Sequence, residues 1–194
     1  MPDSFSAELI LASASPRRRD LLAQIGLQPR VVVAEIDEAP LPRELPAAHV
    51  GRLARAKAAR VAAANPGAIV LAADTAVACG RRILPKADEE PQARACLALL
   101  SGRRHRVYGG ICVLAPNGRI AERVVVTSVG FRRLTDADIE RYIAAGEWQG
   151  KAGGYAIQGR AAAFVRSLNG SYTNVVGLDL HTAASLLRGV GMGV

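Results

Sequence analysis

The segment Leu9-Ile10-Leu11-Ala12-Ser13-Ala14-Ser15-Pro16-Arg17-Arg18-Arg19-Asp20-Leu21-Leu22-Ala23-Gln24-Ile25-Gly26 decides how the chain is read. Its first four residues are apolar and predict a short buried strand. Ser15 is a good N-cap, Pro16 suits the first helical position, and Gly26 stops a helix over Pro16–Ile25. Working outward, Val31-Val32-Val33 reads as a second strand. A helix follows over 47–64, ended by Asn65-Pro66-Gly67, then a buried strand over Ala68–Ala73 and a helix over 90–100. Alternating strands and helices point to α/β or α+β architecture. The middle is β-rich, with Val107–Leu114 and Val124–Phe131 separated by Pro116-Asn117-Gly118, a hairpin signal. Thr135 then caps a helix running to about Ala145, with Asp138 at N3. Gly146–Gly159 is too irregular for helix or strand and is a candidate functional loop. After Ala162–Leu168 and a turn at Asn169-Gly170, a last helix covers 180–187. Nothing divides the 194 residues into repeats or linked units, so a single domain over 1–194 is expected.

Half of the residues are hydrophobic and 22% are charged, which places the chain outside the disordered class. The best candidate for a membrane span, Ala68–Cys79, is too short and is broken by Asp74. Met1-Pro2-Asp3-Ser4 lacks the basic-then-apolar pattern of a signal peptide. The three cysteines, Cys79, Cys96 and Cys112, fit no zinc spacing and read as buried thiols of a reducing cytoplasm. A soluble, cytoplasmic protein is therefore expected. The net charge of +8 favours anionic partners without choosing among them. Only three of the 25 cationic residues are lysines, Lys57, Lys86 and Lys151, so a retained lysine can mark a place that needs a compact ammonium.

Four constellations could carry chemistry. The first, Ser13-Ala14-Ser15-Pro16-Arg17-Arg18, puts two cations into the first turn of a helix, against its dipole. An anion would resolve the conflict, so Ser13, Ser15, Arg17 and Arg18 are a candidate phosphate cradle; the alternative is a solvated arginine run. The second is Lys57, which lies on the apolar stripe Val50, Leu53, Ala54, Ala58 and Val61. It either snorkels to water or points into a cleft holding negative charge. The third is Asp74-Thr75 after Ala72-Ala73, a carboxylate expected at the end of a strand, where α/β sheets bind ligands. The alternative there is a turn residue. With Lys86 and the carboxylates of Glu35, Asp37 and Glu38, it has the composition of a metal-dependent phosphate enzyme. The fourth is Gly150–Gly159, whose glycines permit close backbone approach and whose Gln158 can both donate to and accept from a base edge. It matches neither a Walker loop nor Gly-x-Gly-x-x-Gly.

Taken together, LASASPRR (11–18), EIDE (35–38), RLARAKA (52–58), AADT (72–75), LPK (84–86), LSG (100–102), KAGGYAIQG (151–159) and NGSYTNVVGL (169–178) resemble the Maf family of nucleoside triphosphate pyrophosphatases over nearly the whole chain. The resemblance implies an elongated mixed-sheet α/β fold with flanking helices and two lobes around a central cleft, similar to inosine triphosphatase. It implies a cytoplasmic homodimer that cleaves a nucleoside triphosphate between its α- and β-phosphates with a divalent cation, Mg²⁺ or Mn²⁺. By the same resemblance Asp74 activates water and shares the metal with Glu38, while Arg17, Arg18, Lys57 and Lys86 hold the triphosphate. The branch it resembles best acts on dTTP and UTP and carries Arg, Thr and Gln at three selectivity positions, here Arg17, Thr75 and Gln158. A branch acting on 7-methyl-GTP lacks the KAGGYAIQG pattern. The sequence departs from the family at Pro85-Lys86-Ala87, where proline precedes the lysine, and at Asp179, where proline is usual and only a helix start should change. Trp148 and Gly150 also differ, at what is expected to be the rim of the base pocket. The competing class is a nucleic-acid-binding or cell-division regulator, suggested by the +8 charge; at 4% aromatic content the chain has few platforms on which to stack bases.

Overall fold

The computed structural model describes residues 7–194; the reading of Met1–Ser4 lies outside them. The apolar triplet Leu9–Leu11 forms β1 and Pro16–Gln24 forms α1. The second strand is shorter than expected: β2 is Arg30–Val31, and Val33 is exposed. Among the described residues β2 pairs only with β1, which ends at Leu11, so no ladder there remains for Val33 to join. α2 covers Pro46–Ala64 and β3 covers Ile69–Cys79. Two short strands that the sequence reading lacked follow, β4 (Arg82–Leu84) and β5 (Lys86–Ala87), before α3 at Glu90–Leu100. The expected hairpin is β6 (Arg104–Leu114) and β7 (Ile120–Phe131), turning through Ala115–Arg119. α4 (Asp136–Ala144) has the Thr135–Asp138 capping box. The glycine-rich segment contains only β8 (Lys151–Ala152). A 3₁₀ turn at Arg160–Phe164, β9 (Val165–Asn169), the unanticipated short α5 (Tyr172–Val176) and α6 (Leu180–Gly189) complete the chain.

The main sheet has the order β2-β1-β3-β6-β7-β9, with β4 attached to β3; β5 and β8 form a separate pair. β2, β1 and β3 are parallel, whereas β3, β6, β7 and β9 each run antiparallel to the next, so the sheet is mixed, with helices on both faces. Alternation along the strands assigns the faces. Ile10, Ala12, Val70, Ala72 and Cys112 pack with Ala54, Ala58 and Val61 of α2 on one side. Leu9, Leu11, Leu71 and Val113 pack with residues of α1, α3, α4 and α6 on the other.

The close seat of α2 depends on Gly110. A Cβ there would collide with the carbonyl of Val50, so only glycine lets the helix lie directly on β6. Gly110 is also the cross-strand partner of Asp74, which puts this contact beside the carboxylate.

Candidate active site

Asp74 is not at the end of its strand. β3 continues to Cys79 because Ala76, Val77 and Ala78 keep pairing with β6, which leaves Asp74 in mid-strand and buried. The turn-residue alternative is thereby removed. By alternation Asp74 faces the α2 side with Val70 and Ala72, and Thr75 faces the opposite side. Lys57, two turns along α2 from Val50, meets Asp74 there. Its Nζ donates to Asp74 Oδ1 at 2.7 Å and lies 2.6 Å from Glu38 Oε1, with side-chain exposures of 7% for Lys57 and 5% for Asp74. Lys57 therefore does not snorkel. Glu38 offers its other oxygen to Lys86 Nζ at 2.5 Å, so the chain Asp74–Lys57–Glu38–Lys86 runs from sheet to surface. Burial raises the Glu38 carboxyl, but hydrogen bonds from Lys57 and Lys86 outweigh it and bring the pKa down to about 2, so Glu38 is ionised near neutrality.

The register of β1 against β3, Leu11 opposite Leu71, carries the Ser13–Arg18 turn alongside Asp74 and Thr75. Ser15 occupies the N-cap position of α1, but its side chain makes no capping bond; its N–H instead donates to Ser13 Oγ at 3.3 Å. The two arginines differ sharply. Arg18 is buried and donates to the Gly177 carbonyl at 2.9 Å, to Ser13 Oγ at 2.8 Å and to Thr75 Oγ1 at 3.0 Å. Three of its five N–H groups are thus tied to protein. Arg17 is half-buried and has no acceptor among the described residues; burial lowers its pKa, the mark of a cation short of a partner.

The glycine-rich segment closes the opposite wall. Gly153, with a left-handed φ of +68°, presses against Val77, where an added Cβ would lie 2.8 Å from Val77 Cγ1. β8 pairs with β5 in the register Lys86↔Ala152 and Ala87↔Lys151, which brings the last two lysines to one rim. Lys86 thus points into the site despite the displaced proline. Lys151, to which no role was given from sequence alone, has its pKa lowered by burial and then by Arg17. Gln158 is exposed at the mouth. Trp148 does not form the rim: it is buried, and its Nε1 donates to the Ile143 carbonyl at 3.0 Å, whereas Gly150 does line the opening. Asp179 caps α6 through Thr182 at 2.7 Å, as expected of a changed helix start. Cys79 is half-buried, not buried as its apolar context suggested, whereas Cys96 and Cys112 are.

Ser13, Ser15, Arg17, Arg18, Glu38, Lys57, Asp74, Thr75, Lys86 and Gln158 all border one cleft with about 1050 Å³ of empty space, its open mouth included. All three lysines of the chain line it, and with Arg17 and Arg18 they outnumber its two carboxylates by three charges. The Maf-like protein family model matches residues 8–190. The chain belongs to this family. A dTTP/UTP pyrophosphatase of Paramagnetospirillum magneticum is 63% identical over 95% of this chain and 98% of that protein. Another of the same name, from Rhodospirillum rubrum, is 59% identical over 96% of this chain and 89% of that protein. The solved structure of the Staphylococcus aureus Ham1 protein shares 16% identity, covering 64% of this chain and 71% of that one with a TM-score of 0.47. Among the described residues of this Maf-like chain, no helix is long and apolar enough to cross a membrane.

Proposed function

We propose that the chain hydrolyses dTTP and UTP between the α- and β-phosphates, giving the monophosphate and pyrophosphate, in a reaction that needs a divalent cation. The observation that carries this reading is the Asp74–Lys57–Glu38–Lys86 chain, buried at its Asp74–Lys57 end, in a cleft with a cationic surplus. The names of the two relatives supply the nucleotides.

Asp74 and Glu38 suit a cation, because one already stands between them: the Lys57 ammonium, within 2.7 Å of an oxygen of each. Among the described residues no third carboxylate, histidine or cysteine joins them, so a metal held there would complete its shell with phosphate oxygens and water. That is the usual state of Mg²⁺ at nucleotide sites. When bound, the cation offsets charge on the phosphoryl oxygens and favours deprotonation of water. Arg17, short of a partner, and Lys86 and Lys151 at the rim hold the triphosphate. Asp74 takes the proton of the attacking water as the new P–O bond forms and the α–β anhydride bond breaks, and pyrophosphate leaves against the cations of the rim. Arg18 orients Ser13 and Thr75, and Gln158 meets the base edge. Assembly as a homodimer and a cytoplasmic location belong to the same proposal; light scattering in solution tests the first.

The test is pyrophosphate release from dTTP, UTP, CTP, GTP, 7-methyl-GTP and ATP with Mg²⁺, Mn²⁺ or EDTA, with Asp74→Asn as control. Metal-dependent release from dTTP and UTP, lost in Asp74→Asn by about a hundredfold or more, is expected. Release confined to 7-methyl-GTP overturns the specificity, and release that survives Asp74→Asn overturns the role of that residue.

A further inference from the structure

The ammonium that marks the cation position also fills it. Lys57 Nζ is 2.7 Å from Asp74 Oδ1 and 2.6 Å from Glu38 Oε1, and its stem is packed into the apolar stripe of α2 with the head group almost wholly buried. A Mg²⁺ ion binds oxygen at roughly 2.0–2.1 Å. An ion seated on these two oxygens would stand against the ammonium, a like charge whose head group is buried beside Asp74. We infer that Lys57 is an internal counter-ion that keeps the Asp74–Glu38 pair closed to a divalent cation until the lysine is displaced, which makes Lys57 the residue that sets metal affinity. The inference rests on the reading of Asp74 and Glu38 as metal ligands.

The rest of the cleft says where the displaced ammonium goes. Lys57 has a four-carbon stem and lines the same cleft as Arg17 and Lys86, to which the triphosphate is assigned. An arriving polyphosphate offers the ammonium a second set of oxygens just as the carboxylates are released to the metal. Uptake of nucleotide and of metal is then coupled through one side chain, and the coupling is reciprocal: each tightens the other. The nucleotide-free protein binds metal weakly by construction, because the negative pair is already neutralised. Lys86 reinforces this from the Glu38 side, but its half-exposed head group is the weaker constraint.

The test measures Mn²⁺ bound to nucleotide-free protein by the electron paramagnetic resonance of the free ion. The proteins are the unaltered chain, Lys57→Met, Lys57→Gln, and each variant combined with Asp74→Asn. Both neutral variants should bind Mn²⁺ at least about tenfold more tightly than the unaltered chain, since removal of the ammonium leaves the buried Asp74 carboxylate without compensation. The gain should vanish when Asp74→Asn is added. Equal or weaker binding in variants that fold by circular dichroism overturns the inference. A second measurement avoids substitution altogether. With three lysines in the chain, ¹⁵N-lysine labelling gives three ammonium signals. The Lys57 signal should shift on Mg²⁺ binding, and a signal that stays fixed while Mg²⁺ binds also overturns it. Hydrolysis of dTTP by the unaltered chain with Mn²⁺ and with EDTA, run in parallel, separates the two failures. Metal-independent hydrolysis sinks the metal reading itself, whereas metal-dependent hydrolysis without a gain in the Lys57 variants sinks only the counter-ion.

Discussion

Arg18 donates from Nη2 to Thr75 Oγ1 at 3.0 Å and so ties the first turn of α1 to the middle of β3. With its bonds to Ser13 Oγ and the Gly177 carbonyl, the same guanidinium joins three chain segments, two of which are also linked where Thr75 Oγ1 donates to the Gly177 carbonyl at 3.3 Å. Arg17, its neighbour in sequence, joins nothing. The two arginines should therefore fail differently. Arg18→Lys cannot reproduce the three-way fork and leaves buried acceptors unpaired, so stability should fall by roughly 2 kcal/mol, measured by urea unfolding. Arg17→Ala should leave stability within about 0.5 kcal/mol and act on substrate binding, with KM for dTTP rising about tenfold. Equal losses of stability in the two variants would refute this division of roles.

Gly110 couples packing to chemistry. Its missing side chain is what allows the Val50 carbonyl to touch β6, and its cross-strand partner is Asp74. A methyl group there has backbone in its way, so α2 must move off the sheet and carry Lys57 with it. Gly110→Ala should destabilise the protein by about 3 kcal/mol, at the upper end of overpacking costs because the helix moves as a body. It should also lower kcat for dTTP in the fraction that remains folded. Thermal unfolding and turnover at a temperature where the variant is folded are the two measurements.

Much of this architecture is legible before any coordinates. The stripe that seats α2, the capping box at Thr135 and the hairpin at Asn117-Gly118 each depend on neighbours within a few residues, and each is found where local rules put it. The misreadings share a different cause. Asp74 in mid-strand is a polar residue whose cost is offset by Lys57, seventeen positions away, so no local rule could extend the strand through it. β5 and β8 are two residues each and exist only because they find one another at the rim of the cleft. Arg17 and Arg18 are identical in composition and adjacent in sequence; the Gly177 carbonyl, brought in from the far end of the chain, is what makes one structural and leaves the other free. Sequence patterns thus assemble the right residues, while the division of labour among them is set by long-range partners.

His105 is buried, with Nε2 2.8 Å from the Tyr155 hydroxyl and Nδ1 without any partner among the described residues. Burial lowers its pKa from 6.5 to about 4, so it is neutral in the folded chain at pH 7. Below pH 6.5 the unfolded chain takes up a proton that the folded chain refuses until about pH 4. Stability from this group is therefore complete above 6.5 and is lost as pH falls toward 4, a drop of roughly 3 kcal/mol across that window. His105→Phe keeps a ring edge-on to Phe131 and cannot titrate, so its urea midpoint should be flatter over the same range. An unchanged slope in the variant assigns the pH dependence to other groups.

Glu38 reaches Lys57 and Lys86 from a loop that has little packing of its own, and Glu44 is what holds that loop. Its side chain, 6% exposed, accepts from Arg52 at 2.6 Å, from the Leu41 N–H at 3.0 Å, and lies 2.9 Å from His49 Nδ1. Arg52 in turn donates to the Ala39 carbonyl at 3.1 Å, one residue after Glu38. Glu44 itself does not line the cleft. Its effect on chemistry must pass through the position of Glu38, as outer groups commonly orient the ligands of a metal site at a cost of about 10- to 100-fold when removed. Glu44→Ala should raise the Mg²⁺ concentration needed for half-maximal turnover by about tenfold while KM for dTTP at saturating metal changes little. Stability should fall by roughly 2 kcal/mol, less than for a fully buried pair because Arg52 keeps access to water. A variant with lowered stability but an unaltered metal requirement would show that Glu44 only braces the loop and that Glu38 finds its place without it.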